Sequence, residues 1–386
     1  MKALAITSKG IENIAALEIK ELINAKTEAK KGCVIFEAKK PEDLCLLCYK
    51  AQSVDKILFL FDFFKIEDNE KFFDNLNNKI KKINFSDWLD KKLTFRVSCK
   101  KINNDIPTEK ICEKAGSFII ENIKKNKKYK QKVDLSYPNI IFFVYVLEND
   151  CYLGIDFSGT ELNKREYKIF IHPSSLKATI AYALVRISSY NEKEVLLDPF
   201  TGSGTIPIET ALFASKFPVN YYRKNDFSFL NFKIFKKLDF NKFFNKINKQ
   251  IKKTKTKICG YDSILGYITN AKKNAKIAGI NKQLNLSRIE VEWLDTKFHK
   301  GTVDKIVTNP PQLSRHVNQK DVEKVYNELF HQAEFILKKK GEVIIISRNT
   351  ALLKQCAKKY NFKVKEEREV YSGKEIFKIV VFCKSS

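Results

Sequence analysis

Nothing in this chain is apolar over the roughly 18 consecutive residues that a membrane-crossing helix requires. Met1-Lys2 runs directly into a strand-like segment, without the apolar core of a secretory leader. No membrane association is therefore expected, and the cytoplasm is the expected compartment. Cysteine occurs nine times but in no framework. The only CxxC pair is Cys45-Leu-Leu-Cys48, no second pair lies at zinc spacing, and its neighbours are apolar. Buried thiols on a helix are expected, with no structural disulfide and no metal. Arginine is scarce, at eight of the 71 basic residues, and histidine occurs only four times.

Lysine, by contrast, is abundant, and the formal net charge is +26. Heavy use of Lys, Asn, Ile and Phe is what an AT-rich genome produces, so base composition alone could account for much of the excess. Whatever its origin, such a field attracts phosphate backbones, which makes nucleic acid the favoured class of partner. The length of 386 residues and the 44% hydrophobic content fit an ordinary globular protein of two or three domains.

The most informative stretch is Val195–Glu209, VLLDPFTGSGTIPIE. Three apolar residues form a short buried strand, Asp198 ends it, and Gly202-Ser203-Gly204 makes a tight turn. A helix then starts at Thr205, because Pro207 is tolerated only in a first turn, where its missing N–H costs nothing. Strand, glycine turn and helix N-terminus form a cradle for a nucleotide-like ligand. A glycine turn alone is weak support, being common in ordinary strand–helix connections.

Before the cradle, Ala3–Ser8 reads as a strand, followed by a helix from Gly10 with Ile11, Ala15, Ile19 and Leu22 on one face. Thr27–Lys31 and Cys33–Glu37 read as a hairpin turning at Gly32, and Pro41 starts a second helix. This order suggests a small ferredoxin-like unit. Strands follow at Ile57–Phe64, Thr94–Lys100, Ile140–Leu147 and Cys151–Ile155, with a helix through Ile111, Ala115, Phe118, Ile119 and Ile123. Between that helix and the next strand lies the run Lys124–Lys132, read either as a solvated loop or as a phosphate-contacting ridge in which Tyr129 could stack on a base. His172-Pro173 introduces a helix through Ile187, where Ser174, Ser175 and Lys177 either cap and cover the surface or line a site. The Phe-, Asn- and Lys-rich segment Phe217–Lys257 reads as an inserted helical lid or flap.

After the insertion, Asp262 ends a strand. It sits much further along than the roughly 20 residues past the glycines at which a ribose-binding acid is usual. It reads as a ribose acceptor or as a helix N-cap. Leu286–Glu292 is a further strand, and Asp295 beyond it reads as an acceptor for an adenine amine or as a surface turn residue. Ile306-Val307-Thr308 is another strand, ended by Asn309-Pro310-Pro311. Two prolines fix the backbone and leave carbonyls without local N–H partners. The Asn309 side-chain carbonyl and the Pro310 carbonyl can then both accept from one exocyclic amine. Such an amine is a poor nucleophile, so holding it in a reactive geometry matters more than a strong base. A buried helix through Val322–Leu337, a strand Glu342–Ser347, a helix Ala351–Lys359 and a closing hairpin around Gly373 complete the chain.

Leu93–Val97, the helix carrying Gly116, Val133–Pro138 and Asp156–Tyr167 together resemble a THUMP domain and its following junction, a module that accompanies RNA-modifying enzymes. The junction departs from the usual Arg-Gly-Tyr-Arg by reading Arg165-Glu166-Tyr167-Lys168. DPFTGSGT, GYD, LD and TNPP at successive strand ends resemble class I S-adenosylmethionine-dependent methyltransferases. The whole chain resembles THUMP-containing RNA guanine-N2 methyltransferases. The resemblance implies an α/β chain with a C-terminal Rossmann-like class I methyltransferase domain, a doubly wound sheet with an antiparallel β-hairpin. An α+β ferredoxin-like and THUMP RNA-binding region precedes it. The boundaries are 1–48 for the ferredoxin-like unit, 49–160 for the THUMP-like domain and 161–386 for the methyltransferase domain.

It implies S-adenosyl-L-methionine held by Asp198, Pro199, Thr201, Gly202, Ser203 and Gly204 at the methionine part, Asp262 and Ser263 at the ribose, Asp295 at the adenine, and Asn309. Catalysis falls to Asn309, Pro310, Pro311 and Gln312, and RNA binding to Lys124, Lys125, Lys127, Lys128, Lys130 and Arg165. The expected reaction is methyl transfer to guanosine N2 in tRNA, in the acceptor-stem region at a position-6 type of site, by a monomer. The alternatives are ribosomal RNA, or an impaired RNA-binding homologue. Gln312 stands where the family's motif closes with Tyr or Phe, and base stacking contributes about 1–3 kcal/mol. His316 or an aromatic of the Phe217–Phe244 insertion could substitute. An adenine-N6 DNA enzyme does not fit the THUMP-like segment. Cytosine C5 chemistry lacks a thiol near Asn309–Arg315.

Overall fold

The computed structural model describes residues 1–313 and 318–385. Its first half runs β1 (Lys2–Thr7), α1 (Glu12–Ile23), β2 (Thr27–Lys30), β3 (Cys33–Glu37), α2 (Pro41–Lys50), β4 (Val54–Lys65), α3 (Phe72–Ile80), β5 (Thr94–Ile102), α4 (Thr108–Lys127), β6 (Lys132–Val133), β7 (Ile140–Leu147) and β8 (Asp150–Asp156). All eight strands belong to one sheet, in the order β2-β3-β1-β4-β8-β7-β5-β6. The long strand β4 joins the ferredoxin-like hairpin side, through β1, to the THUMP-like side, through β8. The expected 48/49 division therefore runs between two parts of a continuous sheet. Cys45 and Cys48 are buried on α2, where burial pushes both thiols well above their ordinary range.

The second half runs α5 (Ala178–Ile187), β9 (Val195–Asp198), α6 (Thr205–Ala214), α7 (Phe240–Asn248), β10 (Lys257–Asp262), α8 (Leu265–Ile277), β11 (Leu284–Arg288), β12 (Val303–Thr308), α9 (Gln319–Ile336), β13 (Leu337–Ser347), α10 (Ala351–Lys359), β14 (Phe362–Ser372) and β15 (Glu375–Lys384). Its strands form a seven-stranded sheet ordered β11-β10-β9-β12-β13-β15-β14. The first five are parallel and the terminal hairpin is antiparallel. Alternating strands and helices built it, as the pattern predicted. The order reverses at β9, and ligands of such sheets bind beyond the carboxyl ends at that switch point.

Several local expectations change. The helix expected from His172 begins only at Ala178, so residues 172–177 are irregular chain available to line a site. The strand expected through Glu292 stops at Arg288, and residues Val291–Thr296 form a 3-10 turn. The lysine run is no loop at its start: α4 continues through Lys127, and Lys128 caps it at φ +57°. Cations in a last turn interact favourably with the helix dipole, which favours that extension.

The insertion is neither a lid nor mostly helical. Only α7 is α-helical, and 3-10 turns cover much of the remainder. Its rings Phe227, Phe229, Phe232, Phe235 and Phe244 are buried in the core of the N-terminal sheet, with Phe232 against Trp88 and Phe157. Each buried ring contributes roughly 2–3 kcal/mol of transfer free energy. The segment thus clamps the catalytic half onto the N-terminal half. Tyr49 Oη donates to Asn248 Oδ1 at 2.9 Å, and Asn220 Nδ2 donates to the Cys48 carbonyl at 2.8 Å, adding polar ties to the same seam.

A second seam is polar and buried. The Arg165 guanidinium donates to Glu209 Oε1 at 2.9 Å and to the Gln52 carbonyl at 2.6 Å. Tyr167 Oη and Gln52 Nε2 both donate to the Glu209 carboxylate at 2.7 Å. The Arg165 and Glu209 side chains have no exposed surface. Arg165, expected to bind RNA, is instead an interdomain core residue: its guanidinium is fully enclosed by partners from both halves and cannot reach a phosphate.

Candidate active site

Beyond the carboxyl ends of β9, β10 and β12 the expected residues converge. β9 pairs with both β10 and β12, so Asp198, Asp262 and Thr308 end neighbouring strands. Thr308 Oγ1 donates to Asp198 Oδ1 at 2.6 Å, joining the two motif-bearing tips directly. Asp198 is 1% exposed, and burial lifts its carboxyl from 3.8 to about 7, against the Thr308 and Phe200 donors that pull it down. The neighbouring Asp262 charge adds to the rise.

The glycine turn is built as expected. Gly202 and Gly204 have φ of +51° and +84°, a region that strains a side-chain-bearing residue. A Cβ on Gly202 would stand 3.2 Å from the His172 ring, so the backbone passes close beneath that imidazole. Asp262 Oδ2 accepts from the Gly202 N–H at 2.9 Å, and Oδ1 accepts from the Ile264 N–H at 3.0 Å. The acid therefore braces both the glycine turn and the backbone that leads into α8. Pro199 and Thr201 are buried, and the Thr201 hydroxyl has no partner among the described residues. Ser203 Oγ lies 3.3 Å from Ser175 Oγ, while Ser263 is exposed and its carbonyl accepts from Arg288 Nε.

Residues 172–177 close the ring between the motifs, and two of their contributions were not legible from side-chain chemistry. His172 packs edge-on to Tyr267 with centroids 4.3 Å apart, and its Nδ1 accepts from the Ser174 N–H at 3.0 Å. Burial lowers the affinity of this imidazole for a proton. The Ser174 carbonyl in turn accepts from Asn309 Nδ2 at 3.1 Å. A continuous path, Gly202–His172–Ser174–Asn309, thus brings the glycine turn and the Asn-Pro-Pro tip side by side. Ser175 reaches Ser203 and Thr205 and belongs to the cleft wall. Lys177 points away: it donates to Asp55 and Ser8 of the N-terminal half at 2.8 and 3.0 Å.

At the second tip, Pro310 is buried and Pro311 exposed. Gln312 Nε2 donates to Asn309 Oδ1 at 2.9 Å, and Gln312 Oε1 accepts from the Arg348 N–H at 3.0 Å. His316, one expected substitute for the missing aromatic, lies outside the described residues. The core rings of the insertion cannot substitute, being enclosed in the N-terminal core.

Asp295 sits exposed on the 3-10 turn, past the tip of β11. The acid nearest that tip is Glu290, which sequence reading missed because the strand was drawn too long. The Ile289 N–H donates to the Asp262 carbonyl at 3.0 Å, which brings the chain just before Glu290 to the tip of β10. Ile264, Leu265 and Trp293 leave 50%, 59% and 58% of their surface exposed around these tips, apolar faces suited to a flat ring. The five lysines Lys124, Lys125, Lys127, Lys128 and Lys130 are all exposed. Tyr129 among them is only partly so, packing on the N-terminal core.

Similarity to known proteins follows the same division. The family described as RMKL-like, methyltransferase domain, matches residues 165–378, and the THUMP domain family matches residues 70–156. The chain is 31% identical to the tRNA (guanine(6)-N2)-methyltransferase of Methanocaldococcus jannaschii, covering 95% of each. It is 26% identical to the protein of the same description from Archaeoglobus fulgidus, over 98% of this chain and 91% of that one. A ribosomal RNA large subunit methyltransferase K/L of Buchnera aphidicola is 27% identical over 93% of this chain but only 52% of its own length. Among solved structures, a putative methyltransferase complexed with S-adenosylhomocysteine superposes with a TM-score of 0.82 over 100% of this chain and 98% of that one, at 20% identity. TrmN from Thermus thermophilus superposes at 0.72, 20% identical, over 99% of each chain.

Proposed function

The chain belongs to the RMKL-like methyltransferases and carries a THUMP domain ahead of the catalytic one, and from that membership we propose that it methylates the N2 amine of guanosine in tRNA with S-adenosyl-L-methionine. The observation that carries the reading is the convergence of the glycine cradle and the Asn-Pro-Pro tip, joined through Thr308–Asp198 and Ser174–Asn309. The two archaeal relatives favour tRNA and the position-6 guanosine. The ribosomal enzyme shares less of its own length with this chain. The exposed lysine ridge supports a phosphate-bearing substrate.

The cleft fits the cofactor by its own chemistry. Gly202 and Gly204 add no side chains of their own to the turn, Asp198 offers a buried carboxylate to an ammonium, and Asp262 retains lone pairs for ribose hydroxyls. Glu290, rather than the more distant Asp295, is the acid we assign to the adenine amine, with Ile264 and Trp293 flanking the ring. When bound, the cofactor supplies an electrophilic methyl on a sulfonium.

The chain's own residues do the rest. The target guanine is turned out of its helix into the cleft. Asn309 Oδ1 and the Pro310 carbonyl accept from its N2 hydrogens and draw the nitrogen lone pair out of conjugation. Positioning of this kind contributes through orientation rather than base strength. Incubating the purified protein with labelled cofactor and unmodified tRNA, then digesting to nucleosides, tests the reading. N2-methylguanosine is expected; its absence, with tRNA or ribosomal RNA as substrate, would refute the reading.

A further inference from the structure

Gln312 stands where the sequence lacks an aromatic ring, and its hydrogen bonds give it a different task. Its carboxamide is held between a backbone N–H and a side-chain oxygen: Arg348 N–H donates to Oε1 at 3.0 Å and Nε2 donates to Asn309 Oδ1 at 2.9 Å. Asn309 continues the series by donating from Nδ2 to the Ser174 carbonyl at 3.1 Å.

Each end of this series has a fixed polarity. A backbone N–H can only donate, and a backbone carbonyl can only accept. Starting from Arg348, Gln312 must turn its oxygen to the N–H and its NH2 to Asn309. Asn309 must then turn its oxygen to Gln312 and its NH2 to Ser174. Reversing either amide would set donor against donor or acceptor against acceptor. The two ends lie on different elements, one after β13 and one in the segment before α5, so the sheet itself sets the direction.

We propose that Gln312 is a positioning residue for methyl transfer, fixing the Asn309 carboxamide so that its oxygen, not its nitrogen, meets the incoming amine. This rests on the reading of Asn309 given above. An amide oxygen carries two lone pairs, so the Gln312 donor leaves one for the substrate. Without Gln312, only the Ser174 carbonyl sets the direction of the Asn309 amide. With one of its two orienting bonds gone, the amide turns more readily about its last torsion, since such sp³–sp² torsions are broad. In the reversed state an N–H faces the amine and the cleft repels its substrate nitrogen. Gln312 thereby orders the acceptor before the base arrives. Its role is orientation rather than stacking.

The test compares Gln312→Met with Gln312→Glu. Methionine keeps the side-chain length but neither donates nor accepts strongly. Glutamate keeps the Arg348 acceptor but turns a carboxylate oxygen on Asn309 Oδ1, which favours the wrong orientation. Loss of one such hydrogen bond predicts about a 2- to 13-fold fall in kcat for the methionine variant, and a larger fall for the glutamate variant. The KM for RNA and the calorimetric Kd for S-adenosylmethionine are expected to stay within about twofold of wild type, as is the midpoint of thermal unfolding within a degree or two. Unchanged kcat in both variants would overturn the proposal, as would a loss confined to KM, which would make Gln312 a base contact. Methylation by the wild-type protein is measured beside them. If wild type itself produces no N2-methylguanosine, the functional reading fails rather than the role of Gln312.

Discussion

The proposed contact between the buried Asp198 carboxylate and the cofactor's ammonium predicts a definite dependence of cofactor affinity on pH. Burial raises its pKa from 3.8 to about 7. An ammonium is attracted only to the ionised form. At pH 7.5 roughly three-quarters of the free protein carries that charge, and at pH 5 about one-hundredth does. Affinity for S-adenosylmethionine should therefore weaken by roughly 50- to 100-fold between pH 7.5 and pH 5. Close to one proton should be released on binding at pH 6, measurable by calorimetry in two buffers of different ionisation enthalpy. A dissociation constant that stays level over that range, with no proton released, would refute the assignment.

The same shift has a stability consequence of opposite sign. Because the folded pKa is raised, the folded protein binds more protons than the unfolded chain between about pH 4 and pH 7. Stability contributed by Asp198 is thus lost as pH climbs through that window, and the cost of the buried charge is level above it. The rise from 3.8 to about 7 sets this cost on the order of 4 kcal/mol at most. Asp198→Asn keeps an acceptor for Thr308 and removes the charge. It should melt higher than wild type at pH 8, converge with it near pH 4, and bind S-adenosylmethionine at least about tenfold more weakly. A lower melting point at pH 8 would mean that the carboxylate is stabilised by its donors rather than penalised by burial.

Two further outcomes follow from the interdomain seam and the lysine ridge. Arg165→Met leaves Glu209 charged and unpaired in the core, so a loss of about 3–5 kcal/mol in denaturant unfolding is expected. The salt dependence of RNA binding by the protein that remains folded should be unchanged, because Arg165 does not face solvent; a shallower dependence would restore it as a phosphate ligand. Replacing Lys124, Lys125, Lys127, Lys128 and Lys130 together by Ala should weaken RNA binding and make the plot of log affinity against log salt concentration shallower, by roughly 0.7–0.9 for each phosphate no longer neutralised, with thermal stability nearly unchanged. An unaltered slope would mark the ridge as an ordinary solvated surface.

The parts of this protein legible in its sequence are those set by local chemistry. VLLDPFTGSGTIP specified strand, turn and helix start, because glycine takes up the positive φ of the turn without the strain a side chain brings and proline is accepted only in a first helical turn. Asn309-Pro310-Pro311 marked the second strand tip for the same kind of reason. Periodicity gave the alternation of strand and helix, and hence the doubly wound sheet. What it misjudged were features whose cause lies far away in the chain. Arg165 looked like a surface cation until Glu209, Gln52 and Tyr167 were brought around it. The Phe-rich insertion had helical spacing, but its rings are ordered by Trp88, Phe157 and Tyr49 of the other half. Gln312 read as a loss, whereas its bonds to Arg348 and Asn309 give it a direction. Residue type and spacing determined which chemistry the strand ends carry. Only the packed structure decided which charges are buried, which rings are taken up by the core, and which way a carboxamide points, because each depends on partners the chain reaches only by folding.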